Sequence, residues 1–426
     1  MSVPEDSTNP SEPQPHDPDA HREDDFSEPR DVSGGRREHD ADSPSGDDGD
    51  LSESGMSGWF RGVDRLALSL WAGAWLGVMF FVAVIPRVLP TIFDGRPYLD
   101  RWAQWDAVRF MDLATHGYDG VPGRPEDPGW PAFFPGYPLL LRAVGVVIPD
   151  LRVAGLLISL VAGTITMVAL SRLAEREGPE GSGRRAVIAL LAGPPAVFLF
   201  AGYSESVFLA LALPAWLLAR RGHWVAAALL ATPASAVRIT GLFFVLALIV
   251  EYVVGEKGRR EVGWRPMAWL ALPFAPLAAY SFYQWTRTGD WLAWQHAQEA
   301  GWDRHLVWPW ESFQTTWRAA FQTDYEFTLA FRIELAAAVV GVVLTVVLLV
   351  KRRWPEFTYV GLQLAALLLS SYYLSVGRAM LLWWPLWIGI AGLAARRPGL
   401  YAGAVAASVP FAVLMLLTFT SGGWAG

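Results

Sequence analysis

WVAAALLATPASAVRITGLFFVLALIVEYVV, residues 224–254, decides how the rest of the chain is read. A bilayer core of about 30 Å needs about 20 helical residues. This run is half as long again, and Pro233 and Arg238 interrupt its middle. The sequence predicts two short helices meeting near Arg238. Outward from it lie further apolar runs at 66–86, 151–173, 186–202, 205–219, 267–285, 329–350, 357–373, 380–395 and 400–420. With the split run, eleven membrane spans are expected. Helices satisfy their own backbone groups in lipid, so such a chain reads as an all-α polytopic membrane protein.

Loop charge tests the split. With the N-terminus placed in the cytoplasm and sides alternated, the cytoplasmic connections carry Arg172, Arg176, Arg184 and Arg185, then Arg220 and Arg221, then Lys257, Arg259, Arg260 and Arg265. Lys351, Arg352 and Arg353, and finally Arg396 and Arg397, follow on the same side. Basic residues concentrate on the cytoplasmic side of membrane proteins. Reading 224–254 as one span would break this pattern for everything after it.

Two long segments, 87–150 and 286–328, then fall outside, which places the protein in the cell membrane with both outer loops extracytoplasmic. Residues 1–57 differ from the rest of the 426. They hold 17 acidic and 4 basic residues and a single aromatic, Phe26, whereas the remainder carries a net charge of +6. Such a tail cannot bury enough apolar surface to offset its ordering entropy, so disorder is expected. It is not read as a signal peptide, because no apolar run follows a basic start. The absence of cysteine excludes disulfides, iron–sulfur clusters and thiol nucleophiles. No nucleic-acid patch is present.

Within the first outer loop, LDRWAQWDAVRFMDLATH at 99–116 reads as one amphipathic helix closed by Gly117. Trp102, Trp105, Asp106, Arg109 and Leu113 share one face of it, and helices of this kind lie in the membrane interface. Asp106 reads either as the partner of Arg109 in an i,i+3 ion pair or as an acid among indoles, suited to a general base. Next, PAFFPGYPLLLR at 131–142 is too rich in proline for a regular helix interior.

WDAVRF at 105–110, HGYD at 116–119 and AFFPGYP at 132–138 together resemble the PIG-V family of mannosyltransferases. The likeness continues through GYSESVFLALALPAWLLARRGHWVAAALLA at 202–231, AVRITG at 236–241, WTRTGDWLAWQHAQ at 285–298 and GRAMLLWWPLW at 377–387. It thus covers about residues 100 to 390 in order. Gly136, Arg109 and Ala379 depart from the residues usual in that family. The 32 arginines against 2 lysines fit an actinobacterial form of it.

The resemblance implies a GT-C glycosyltransferase fold, with 58–426 as the transmembrane domain and a polyprenyl-phosphate sugar, expected to be mannose, as donor. The acceptor would be a glycan, glycolipid or protein at the membrane. It also implies an inverting transfer with Asp106 as general base. Arg238, an arginine in apolar sequence, is the leading partner for the donor phosphate; the alternative is an ion pair with Glu205. Arg378 is a second phosphate candidate, or an arginine reaching the interface.

Trp105, Arg109, Tyr203, Glu205, His296 and Gln298 are candidate substrate contacts, Glu205 being equally readable as a helix N-terminal acid. Trp285, Trp291, Trp294, Trp302, Trp308 and Trp310 read mostly as an interfacial aromatic belt. His116, Asp119 and Asp127 match no strong ligand spacing, which leaves a divalent cation open. A transporter or flippase of lipid-linked sugar, and a GT-C scaffold without activity, are the competing expectations.

Overall fold

A computed structural model describes residues 62–93, 95–323 and 327–426. The acidic tail of residues 1–57 lies outside them. Among the described residues there is no strand, only one antiparallel bridge between Leu306 and Ser370. The protein is all-helical.

The helices, in order, are α1 Gly62–Val88, α2 Asp106–His116, α3 Gly136–Gly145, α4 Leu151–Glu177, α5 Ser182–Leu191, α6 Ser204–Ala219, α7 Trp224–Val237 and α8 Thr240–Val254. There follow α9 Ala275–Thr288, α10 Ala293–Trp302, α11 Pro309–Phe321, α12 Thr328–Val350, α13 Trp354–Leu368, α14 Trp384–Arg396 and α15 Pro398–Thr420.

Among the described residues, four stretches are long and apolar enough to cross a membrane: Asp64–Val88, Leu151–Glu177, Thr328–Val350 and Pro398–Thr420. The number rises to six if two bent pairs each count as one span. In the first pair, Ser182–Leu191 and Pro194–Phe200 meet at 79°, and in the second, Val376–Leu382 and Trp384–Arg396 meet at 71°. The expected straight runs at 186–202 and 380–395 are therefore broken. Pro194 and Pro195 follow Gly193 in the first bend, and Pro385 opens the helix after the second, as expected of residues that cannot donate a helix hydrogen bond. The run at 267–285 is likewise not one helix, because a 3-10 turn at Arg265–Phe274 precedes α9.

The predicted break at Arg238 is present. Pro233 stays inside α7, and the chain leaves the helix at Arg238, whose φ and ψ are extended. Ser235 braces the last turn by donating from its hydroxyl to the carbonyls of Thr232 (2.8 Å) and Pro273 (2.6 Å). This hydroxyl ties α7 to the 3-10 turn.

Burial sorts the bundle into centre and periphery. α6 is buried almost all round and packs between α4 and α7, as expected for a helix apolar on every side. The apolar windows of Leu151–Glu177 and Asp64–Val88 are 61% and 11% buried, so α4 is central and α1 peripheral. Their close approach needs Gly163, since a Cβ there would lie 2.2 Å from the Trp71 ring.

At one end of the bundle the basic connections gather. Arg172 grips Asp64 through two hydrogen bonds of 2.9 Å, Arg220 donates to Glu251 at 3.0 Å, and Arg353 reaches both Glu177 (2.6 Å) and Glu356. The remaining site residues collect elsewhere, around the helix breaks.

Candidate functional site

Residues 99–116, the expected interfacial helix, do not form one helix. Leu99–Arg101 is a 3-10 turn and α2 starts only at Asp106. Between them Trp105 takes a positive φ of 51°, a conformation uncommon for a bulky residue. Trp102 is buried and belongs to the preceding turn, so it shares no helical face with Asp106. Trp105 is 38% exposed and donates its indole N–H to the Gly423 carbonyl at 3.0 Å. The indoles therefore do not enclose the acid. Arg109 is not its partner either: it bonds Asp127 at 2.9 Å and lies over the rings of Phe133 and Trp302.

Aromatic packing fixes α2. Phe110 is buried edge-on against Tyr137, Phe133 and Tyr203, with ring centroids 4.7, 5.4 and 6.2 Å apart. Tyr203 also donates its hydroxyl to the Gln104 carbonyl at 3.0 Å, holding the turn that presents Asp106. The aromatic–proline segment packs behind it. A Cβ on Gly136 would stand 2.6 Å from the carbonyl carbon of Ala236, so the backbones of α3 and α7 nearly touch just before Arg238. Glycine at position 136 is thus required by geometry.

Four charged side chains then meet from four parts of the chain. Arg378 donates from Nη1 to Asp106 and from Nε to Glu205. Glu205 also accepts from Arg238 Nη1 at 2.6 Å, and the same nitrogen reaches the Ser204 hydroxyl at 2.7 Å. The result is an alternating chain, Asp106–Arg378–Glu205–Arg238, that balances two anions with two cations. The Arg378 guanidinium lies over the Tyr203 ring, 4.7 Å from its centroid, and beside Phe198. Burying charge is tolerated when it is paired and hydrogen-bonded, and rings can face the guanidinium plane. Glu205 Oε2 and Arg238 Nε remain buried with no hydrogen-bond partner among the described residues.

This network faces a cavity of about 1360 Å³. Trp105, Asp106, Arg109, Tyr203, Arg238, His296, Gln298 and Arg378 all line it, and Glu205 stands directly behind. The belt tryptophans divide. Trp285 stacks on Trp291 and Trp308 on Trp310, all four exposed, while Trp294 and Trp302 turn onto the cavity wall. His296 sits at the rim, 61% exposed, with Nδ1 2.6 Å from Asp290. No group of three or more His, Asp or Glu suited to a metal ion occurs among the described residues. Asp119 and Asp127 are engaged by Arg287 and Arg109.

One site residue escaped the sequence reading. Glu334, fully buried in α12, accepts the backbone N–H groups of Ser375 (2.9 Å), Val376 (2.6 Å) and Gly377 (3.2 Å). It caps the short turn that carries Arg378. An acid inside an apolar run was the available signal.

No family model matches the chain, and neither a curated protein nor a solved structure matches it.

Proposed function

We propose that the protein is an integral-membrane glycosyltransferase that moves a sugar, mannose by the resemblance of its motifs, from a polyprenyl-phosphate donor to a hydroxyl acceptor at the membrane. The observation that carries this reading is the alternating charge chain on the cavity wall, with Asp106 at its outer end. In the reaction the acceptor oxygen attacks the anomeric carbon and its proton passes to the Asp106 carboxylate. The bond from that carbon to the phosphate oxygen breaks with its electron pair, leaving the lipid phosphate anion and an inverted glycosidic bond. Arginines facing the cavity oppose the charge that develops. Trp294 and Trp302 offer ring faces for a sugar, with Gln298 as hydrogen-bonding neighbour.

The test uses membranes containing the protein, polyprenyl-phosphate [14C]mannose and candidate acceptors. Wild type should transfer label. Asp106→Asn should lower transfer by at least about 100-fold, the range of a lost general base, without lowering protein level. Undiminished transfer by the variant would remove Asp106 from the mechanism.

A second reading, translocation of a lipid-linked sugar, draws on the helix breaks. Broken helices around a charged site are the usual construction of transporters, and Arg238 and Arg378 both sit at such breaks. Translocation in sealed vesicles without transfer would decide for it.

A further inference from the structure

The charge chain is already balanced. Each of its arginines is spoken for by a carboxylate, so an arriving phosphate meets no net positive charge there. A cation that no carboxylate contacts directly, its nearest charged neighbour Glu334 being taken up by backbone N–H groups, lies elsewhere on the same cavity wall. Arg304 lines the cavity, half-buried, and among the described residues no carboxylate lies within ion-pairing distance of it. Its Nε donates to the Ser370 hydroxyl at 2.9 Å, which leaves the rest of its fork for the cavity.

The position of Arg304 is built rather than incidental. The backbones of 305–307 and 369–371 are zipped together. Val307 N–H donates to Leu369 (2.8 Å), Ser371 N–H donates to His305 (3.1 Å), and Leu306 bridges Ser370. His305 N–H reaches the Ser371 hydroxyl at 3.0 Å, and the Tyr372 hydroxyl donates to the Trp302 carbonyl at 2.7 Å. These bonds pin the middle of the second outer loop to the segment leading to Arg378. The acids nearest in sequence, Glu299 and Asp303, are exposed to solvent and do not neutralise it. Withdrawal from water lowers the pKa of Arg304 from the ordinary arginine value, with Tyr372 and Glu334 acting the other way.

We propose that Arg304 is the phosphate anchor of the cavity, gripping the phosphate of a lipid-linked ligand through its free guanidinium nitrogens while Ser370 orients the fork. Paired hydrogen bonds from one guanidinium suit two phosphate oxygens. The charge chain is then free for the reacting end of the ligand. This inference deepens the glycosyl-transfer reading by naming the group that holds the donor.

Binding can be measured without turnover. The full chain in nanodiscs is titrated by calorimetry with farnesyl phosphate, with uncharged farnesol and with inorganic phosphate. Wild type should prefer farnesyl phosphate to farnesol by at least about tenfold, the worth of a charge-assisted hydrogen bond. Arg304→Gln should lose that preference while keeping its affinity for farnesol, which also reports that the cavity is intact. Arg304→Lys, which keeps the charge without the fork, should keep part of it.

An unchanged preference in Arg304→Gln overturns the proposal, as does a loss in Arg304→Lys equal to that in Arg304→Gln. Inorganic phosphate binding as tightly as farnesyl phosphate overturns the lipid-linked ligand. If wild type transfers no sugar yet shows the Arg304-dependent preference, the anchor stands and the transferase reading falls.

Discussion

The two charged regions of the molecule are built from the same parts and differ in their setting. At the basic end, Arg353 holds Glu177 and Glu356, and Arg220 holds Glu251, where helices end or begin in short connections. At the cavity, Arg238 and Arg378 hold Glu205 and Asp106 where helices are interrupted. Buried acids occur in both: Glu356 and Glu205 are each almost wholly withdrawn from water. Burial and pairing alone therefore mark no site. Nor does an unpartnered buried atom, since Glu177 Oε1 and Arg238 Nε both lack a hydrogen-bond partner among the described residues; a broken backbone beside open volume is what separates the second region from the first.

Removing a carboxylate from each region should show this most strongly. Glu205 serves two guanidiniums, so Glu205→Ala leaves both without their shared anion. Breaking a buried pair in this way costs about 3–5 kcal/mol, and both the unfolding temperature in detergent and sugar transfer should fall. Glu356→Ala leaves Arg353 with Glu177. Its loss should be smaller, about 1–3 kcal/mol, with transfer per folded molecule unchanged. A matched fall in turnover for Glu356→Ala would break the distinction between the regions.

Two glycines sharpen the same contrast at lower cost. Gly163→Ala and Gly136→Ala each force a methyl group into contact, against Trp71 and the Ala236 carbonyl respectively. Overpacking of this kind costs about 1–3 kcal/mol. Only Gly136 adjoins the strand of backbone that delivers Arg238. Transfer per folded molecule should therefore drop in Gly136→Ala and hold in Gly163→Ala. Equal behaviour would mean that backbone placement at Arg238 is not limiting.

Local signals were legible in the sequence and distant encounters were not. The split at Arg238 followed from length, a proline and an arginine in apolar sequence within 31 residues. The meeting of Asp106, Glu205, Arg238 and Arg378 did not, because no periodicity links positions so far apart in the chain. Arg238 paired with Glu205, the alternative to a free phosphate partner, whereas Asp106 found a partner in Arg378 that neither reading of it contained. Helical periodicity misread 99–116 because it assumes continuous helical dihedrals, and Trp105 does not supply them. It likewise gave straight spans where Gly193-Pro194-Pro195 and Trp384-Pro385 bend the chain. Arg304 carried no pattern of its own. Its meaning lies in a guanidinium that no carboxylate contacts directly among the described residues, which only the fold reveals.

The rim of the cavity offers the mildest test. Asp290 accepts from Leu292 N–H at 2.8 Å and meets His296, whose hydrogen bond lowers the Asp290 pKa below the ordinary carboxylate value. The sign follows from that direction. The pair's contribution is complete above the unfolded carboxylate pKa, near 3.9, and is lost as pH falls through the lowered folded value. At neutral pH it is fully present, yet Asp290 is exposed and screened by solvent, so Asp290→Asn should leave the unfolding temperature unchanged. Donor KM should shift only slightly, through freer motion of His296. A tenfold rise in KM would place an exposed pair among the groups that hold substrate, and the line drawn here between the broken-helix network and the solvated rim would have to move outward to include it.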